Sequence, residues 1–262
     1  MNGAGNDFVM LDNRDGRLSL TAAQIARLCD RHRGVGADGL LLVEKPQGGA
    51  DWRMRYYNAD GAEAEMCGNG ARCFARFVNR VIPGAGETVT FETPAGVISA
   101  KVGNAQVSLG MSQPGDFADG VELGAAGEKL RVYSINTGVP HAIVLTEDLD
   151  GTDVRKLGAA LRHHQHFQPR GTNVNFVRQL GPQDLAIRTY ERGVEDETLA
   201  CGTGVVASAL TLAALTGARS PIRVLVKGGD TLTVAFDRTN AGFSDIVLTG
   251  PADFVFEGDI AV

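Results

Sequence analysis

Two short segments of this chain carry the residues best suited to chemistry. They are Cys67-Gly68-Asn69-Gly70, followed by Ala71-Arg72-Cys73, and Cys201-Gly202-Thr203-Gly204, followed by Val205-Val206-Ala207-Ser208. In both, a cysteine stands directly before a pattern that reads as helix, with Phe74, Phe77, Val78 and Val81 on one face of the first and small or apolar residues nearly all round the second. Unpaired backbone N–H groups and the macrodipole make a helix N-terminus an anion site, and glycine lets an anion approach the backbone closely. The same field favours a thiolate over a thiol, drawing a cysteine from its ordinary pKa of about 8.5 toward values useful to a base. Two such ends facing each other would hold one carboxylate and place a sulfur on either face of its α-carbon. One thiolate could then remove a proton while the opposing thiol delivers another. An α-proton beside an ammonium is weakly acidic, so donors in a dry, preorganised site must lower the barrier, and helix N-termini supply them.

The elements that position these segments are mostly short strands bounded by Gly, Pro, Asn or Asp: 39–44, 52–57, 88–92, 97–102, 142–145, 184–190, 222–226 and 231–236. Further helices are expected over 21–31, behind a Ser19 or Thr21 cap, and over 154–162; Gly217 is placed to end the helix after Cys201. Met54-Arg55-Tyr56-Tyr57-Asn58 matches Ile187-Arg188-Thr189-Tyr190-Glu191 at a separation within one residue of that between Cys67 and Cys201. That repetition, close to half the chain, predicts an ancient duplication. The expected fold is α+β: two pseudo-symmetric domains, each a curved, mostly antiparallel β-sheet wrapped around a central α-helix, with the active site in the cleft between them. The first half is expected to span 1–112 and to take back the last strand, 252–262; the second is expected to span 113–251, with the Gln113-Pro114-Gly115-Asp116 turn as linker. Closure of the two halves on a ligand is a further expectation.

Composition narrows the partners. The 262 residues are 44% apolar and 21% charged, with a formal charge of −6 and scattered basic residues, which excludes an electrostatic footprint for nucleic acid or an anionic membrane. The apolar stretch from Val205 to Leu215 falls well short of the ~20 residues of a membrane helix, and a cytoplasmic protein is expected. Four cysteines are too few for a disulfide scaffold, and none forms a CxxC pair or a zinc-spaced cluster. Cys29 and Cys73 read as structural. His163, His164 and His166 read as a solvated or capping cluster, since nothing near them completes a ligand set, and the pattern around His141 favours the core. No lysine sits in a Schiff-base context.

Combined with Gly5-Asn6-Asp7-Phe8, Asn58-Ala59-Asp60-Gly61, Gly171-Thr172-Asn173-Val174-Asn175-Phe176 and Tyr190-Glu191-Arg192-Gly193, the two cysteine segments resemble the diaminopimelate epimerase family along essentially the whole chain. Proline racemases and hydroxyproline epimerases share the paired cysteines but are expected to carry histidine where this chain has Asn69; the phenazine-pathway isomerases lack the pair. The resemblance implies conversion of LL-2,6-diaminopimelate to the meso form, on the route to lysine and peptidoglycan precursors, without pyridoxal phosphate, metal or any other cofactor. It makes Cys67 and Cys201 the acid/base pair. Gly68, Asn69, Gly202 and Thr203 would hold the reacting carboxylate; Asn6, Asn58, Asn173 and Arg192 would line the pocket; Glu191 would contact an ammonium and, with His141, tune the thiols. A small amino-acid substrate is the expected partner, with neither nucleic acid nor membrane, and a homodimer is compatible with the family.

Three features depart from the family pattern. The chain starts at Met1-Asn2-Gly3 where the family usually has several residues before this motif, so either a shortened first strand or a trimmed N-terminus is expected. Val139 stands where many members have asparagine, removing a pocket amide unless Asn136 replaces it, and Gly39 stands where some have glutamine. Two other readings remain: a binding protein that kept the fold, which would need no cysteines, and a racemase of a shorter amino acid, which would not need Arg192 and the asparagines.

Overall fold

The computed structural model describes residues 1–115, 117–240 and 242–261. Asp116, the last residue of the expected linker turn, lies outside the described residues. The chain divides into two compact units: unit 1 is Met1–Gly110 with Thr249–Val262, and unit 2 is Met111–Leu248. Among the described residues no helix is long and apolar enough to cross a membrane.

Unit 1 opens with β1 (Asn2–Gly3) turning back on β2 (Asn6–Asp12). A crossover carrying α1 (Ala22–Cys29) leads to β3 (Gly39–Glu44), which lies parallel to β2. Thr21 and Gln24 close a capping box at the start of α1, and Ile25, Leu28 and Cys29 pack on Val9, Leu40, Leu42 and Tyr57. Next come β4 (Trp52–Asn58), antiparallel to β3, and the two-residue β5 (Glu63–Ala64). Helix α2 (Gly68–Val81) then crosses to β6 (Thr88–Thr93), which runs parallel to β4, and β7 (Gly96–Val102) and β8 (Gln106–Gly110) complete a meander. The sheet curves around α2, which packs on β2, β7 and β8. Phe74 and Val78 of the expected apolar face are buried, Phe74 against Phe91 with ring centroids 4.7 Å apart, whereas Phe77 and Val81 are only partly covered. After Thr249 the chain rejoins this unit: the Thr249 hydroxyl meets that of Ser108 at 2.8 Å, and Asp253 pairs with Asn2.

Unit 2 begins with the hairpin β9 (Ala118–Ala125) and β10 (Glu128–Asn136), joined by Ala126 and Gly127, both at positive φ. Strand β11 (Pro140–Leu145) continues from β10. A crossover carrying α3 (Val154–Arg162) brings β12 (Asn173–Gly181) parallel to β11. Then β13 (Asp184–Glu191) lies antiparallel to β12, with the short β14 (Asp196–Thr198) beside it. Helix α4 (Gly202–Thr216) ends at Gly217 in the left-handed conformation and leads to β15 (Ile222–Leu225), parallel to β13, then β16 (Thr231–Thr239) and β17 (Gly242–Pro251). Residues 204–213 of α4 are all buried, against β10 to β13, β15 and β16. A leucine or valine so placed contributes about 2 kcal/mol of transfer free energy.

Both units therefore use one connectivity: a parallel pair across a small helix, an antiparallel strand with a two- or three-residue partner, a central helix, and a second parallel pairing. The repeated arginine shows the correspondence at side-chain level. Arg55 grips Glu63 of β5 through two N–H···O bonds of 3.0 and 2.9 Å, and Arg188 grips Glu197 of β14 at 2.6 and 2.9 Å. The fold is thus α+β, each unit a mostly antiparallel sheet on one central helix.

Candidate active site

Cys67 is the N-cap of α2 and Cys201 the N-cap of α4, both with extended backbones (φ −136°, ψ 122° and φ −118°, ψ 109°), and neither thiol caps its own helix. A helix N-terminus whose N-cap side chain turns elsewhere is the kind of place where an anion binds. The glycines of the two motifs differ in purpose. A Cβ on Gly68 would meet nothing within 4 Å, so the backbone there is open to a ligand. A Cβ on Gly70 would press Leu41 at 3.3 Å and the Phe8 ring at 3.4 Å, and one on Gly204 would strike Asn175 Oδ1 at 2.3 Å. These second glycines let the first turn of each helix sit on the strand beneath it.

In unit 1 the structure brings Asn6 to Cys67: the thiol donates to Asn6 Oδ1 at 3.5 Å. Asn6 Nδ2 donates to Asp38 Oδ2 at 2.6 Å, and Arg31 bridges Asp38 and Asp7. Arg31 and Asp38 hold the Asp7 carboxyl below the usual carboxylate range despite its burial. Asn69 is buried, its Oδ1 accepting from the wholly buried Arg72 at 2.8 Å. Asn58 is exposed at the end of β4, opposite Gly39 in the ladder. Gly39 has a packing reason: a Cβ would meet Tyr57 O at 2.5 Å and the Tyr56 ring at 2.7 Å, so the Tyr56 ring fills the space a longer side chain would take.

In unit 2 the parallel register sets His141 opposite Asn173, and β13 brings Glu191 and Arg192 to the same end. Asn173 Oδ1 accepts from Arg192 N at 2.8 Å, and Arg192 Nη1 donates to Arg170 O at 3.2 Å. Glu191 accepts hydrogen bonds from the Thr198 hydroxyl and the Cys201 thiol. Burial raises its pKa, and those two bonds act against the rise. The Cys201 sulfur also lies 3.5 Å from Thr203 Oγ1, and Thr137 Oγ1 donates to Thr203 O at 2.9 Å, anchoring the first turn.

His141 is fully buried, and burial, then the Arg192 charge, lowers its pKa to about 3. Its tautomer follows from its neighbour. Asn175 Oδ1 accepts from the Thr189 hydroxyl at 2.9 Å, which leaves Nδ2 to donate to His141 Nδ1 at 3.0 Å and to Ala142 O at 3.2 Å. The imidazole is therefore neutral with its proton on Nε2, which has no hydrogen-bond partner among the described residues.

His164 caps a short 3-10 turn, Gln165–Phe167, and His163 ends α3 beside Glu195. Among the described residues no group of three or more His, Cys, Asp or Glu is arranged to hold a metal ion. Cys29 and Cys73 are buried, with pKa values raised by burial to about 11 and about 12. Asn136 is engaged in its own turn, its Oδ1 accepting from Gly138 N at 3.0 Å. Sequence reasoning missed Asp38, Thr198 and Asn175. For Asn175 a signal exists: a polar residue two positions from Asn173 shares its face of β12, while Val174 and Phe176 face the α3 core.

Comparison with known proteins bears on this arrangement. A model of the diaminopimelate epimerase family matches residues 1–114 and 133–255. The chain is 46% identical to the diaminopimelate epimerase of Chlorobaculum tepidum over the whole of both chains. It is 42% identical to that of Aquifex aeolicus, over 100% of this chain and 96% of the relative. Among solved structures it is similar in fold to a Bacillus anthracis phenazine biosynthesis protein of the PhzF family, with a TM-score of 0.75, 18% identity and coverage of 100% and 95%. It is also similar to a probable proline racemase from Agrobacterium radiobacter with bound carbonate, with a TM-score of 0.66, 18% identity and coverage of 90% and 80%. With a family match across both units and full-length relatives above 40% identity, this chain belongs to the diaminopimelate epimerase family.

Proposed function

We propose that this protein epimerises LL-2,6-diaminopimelate to the meso isomer by two-base proton transfer, with Cys67 and Cys201 as the alternating acid and base. The observation that carries the mechanism is the equivalent placement of the two thiols, each the N-cap of its unit's central helix. The chemistry requires both sulfurs at one α-carbon, with the carboxylate held at Gly68, Asn69, Gly202 and Thr203. Charge developing on that carboxylate as the α-proton leaves meets fixed N–H dipoles, which need no reorganisation.

The surroundings of Cys201 favour its service as base. Glu191, kept weakly acidic by burial, accepts the thiol proton and leaves a thiolate at a helix N-terminus. His141, neutral and carrying its proton on Nε2, supplies a donor without a positive charge. Arg192, Asn173, Asn58 and Asn6 line the pocket, Asn6 beside Cys67, and several of the others, Arg192 first, read the distal amino-acid end, whose binding orients the reacting carbon. A shorter amino acid would leave that grip unused. A cytoplasmic setting and a homodimer belong to this proposal as well, the dimer to be tested by light scattering.

The test is the rate of meso-diaminopimelate formation by the fully reduced protein and its Cys67→Ala and Cys201→Ala variants. Wild type should turn over, and each variant should lose at least ~10³-fold, as removal of a general acid or base does. A folded, reduced wild type that is inert toward the LL isomer while it racemises proline would replace the substrate assignment.

A further inference from the structure

We propose that Asp38 is a positioning residue for Cys67: it fixes which end of the Asn6 side-chain amide faces the thiol. The inference deepens the two-thiol reading above and rests on it.

An asparagine amide has a donor end and an acceptor end of nearly the same shape, so its orientation is set by whatever can meet only one of them. An ionised carboxylate can only accept. Asp38 Oδ2 lies 2.6 Å from Asn6 Nδ2, the short range of a charge-assisted bond. The carboxylate is itself held on both oxygens, Oδ1 by Arg31 Nη2 at 2.9 Å and Oδ2 also by Asp7 N at 3.2 Å. Arg31 is locked in turn by two bonds of 2.8 Å to Asp7, whose Oδ1 accepts from Asp38 N at 2.9 Å. With Nδ2 taken, Oδ1 is the end presented to Cys67 Sγ, at 3.5 Å. An oxygen there accepts the thiol proton and disfavours a thiolate. Were the amide turned over, Nδ2 would face the sulfur and favour the thiolate.

The consequence is a functional difference between the two cysteines. Cys67 faces an acceptor that keeps its proton on sulfur, whereas Cys201 faces Glu191, which can remove it. Asp38 thereby makes Cys67 the resting acid.

The experiment is a double-mutant cycle read on Cys67 alone, with no turnover involved. The reduced protein, D38N, N6A and the D38N/N6A double variant are treated with iodoacetamide at neutral pH, and labelling of the Cys67 peptide is followed by mass spectrometry. D38N frees the amide to turn, so labelling should accelerate about fivefold, the size of one net hydrogen bond. In the N6A background D38N should change the rate by less than about twofold. Acceleration of equal size in both backgrounds would mean that the Asp38 charge acts through space, and no acceleration in either would mean that it does not act at all; both overturn the proposal. Should D38N fail to fold, the unmutated protein decides. One Asn6 side-chain proton, assigned by its loss in N6A, should be shifted downfield and protected from exchange, and an averaged, unprotected amide would overturn the idea. A protein that labels as expected but does not epimerise diaminopimelate would overturn the functional reading and leave this one standing.

Discussion

Replacing Gly204 by alanine should destabilise unit 2 even though it improves the local helix. The added Cβ would lie 2.3 Å from Asn175 Oδ1, where 3.4 Å is ordinary contact, so the Asn175 amide must move by about 1 Å. Asn175 is fully buried, and its three hydrogen bonds, from Thr189 and to His141 and Ala142, span only 2.9 to 3.2 Å. A displacement of that size breaks one or two of them, at about 1–3 kcal/mol each for polar atoms left buried without partners. The alanine returns about 1 kcal/mol of helix propensity. The net loss is about 3 kcal/mol, a fall of roughly 8 °C in melting temperature for a protein of this size. Differential scanning calorimetry of G204A reads it directly. The cause is isolated by the same substitution in an N175A background, where the clashing oxygen is gone and G204A should be neutral or stabilising. An unchanged or raised melting temperature for G204A alone would refute the packing argument and return Gly204 to a purely ligand-facing role.

Gly68→Ala should behave in the opposite way. Its site is sterically open and its φ is not positive, so stability should rise by up to about 1 kcal/mol while KM rises, because a methyl group now stands where the substrate carboxylate approaches; unchanged KM in a steady-state assay would contradict that role. Glu191→Gln should lower kcat by about 10²-fold or more and flatten the acid limb of the pH–rate profile, and an unaltered profile would remove Glu191 from the proton path. His141 should make the fold acid-sensitive. Its folded-state pKa is lowered to about 3, below the ordinary 6.5, so between these values the unfolded chain binds the extra proton. Its contribution is complete above about pH 6.5 and is lost by up to about 1.4 kcal/mol per unit as pH falls toward 3. Urea unfolding at neutral pH and near pH 5 should show a smaller loss for His141→Gln than for wild type; equal losses would contradict a neutral buried imidazole.

Strands with sharp turn residues at both ends were legible: 39–44 coincides with β3, and 184–190 lacks only the last residue of β13. Helix α3 was legible to the residue; α1 was legible in place, with Thr21 rather than Ser19 as its cap, but ends at Cys29, two residues before the expected Arg31. Strands β9, β10 and β17 were not. β9 alternates weakly, with most of its residues exposed, and β17 carries Gly, Ser, Asp and Thr that read as loop until a ladder supplies their partners. The internal repeat was readable because Arg55 and Arg188 recur within one residue of the same distance before the cysteines, and each grips a glutamate of the short strand beside it. Asp38 was invisible because its effect passes through Asn6, and Asn175 because β12 was not among the expected strands, so the face it shares with Asn173 was not drawn. Spacing along the chain names residues that act directly; it is silent on those that act through a neighbour brought close by the sheet register.

The most direct test of the central claim follows the α-proton itself. LL-diaminopimelate is incubated with the reduced enzyme in deuterated buffer, and proton NMR records the α-signals of product and of recovered substrate during the first turnovers. Two opposed thiols predict that deuterium enters the meso product, delivered from the face opposite the departing proton, before it enters recovered substrate. Deuterium appearing equally fast in both would indicate a single base serving both faces and would contradict the assignment of Cys67 and Cys201 as an acid/base pair.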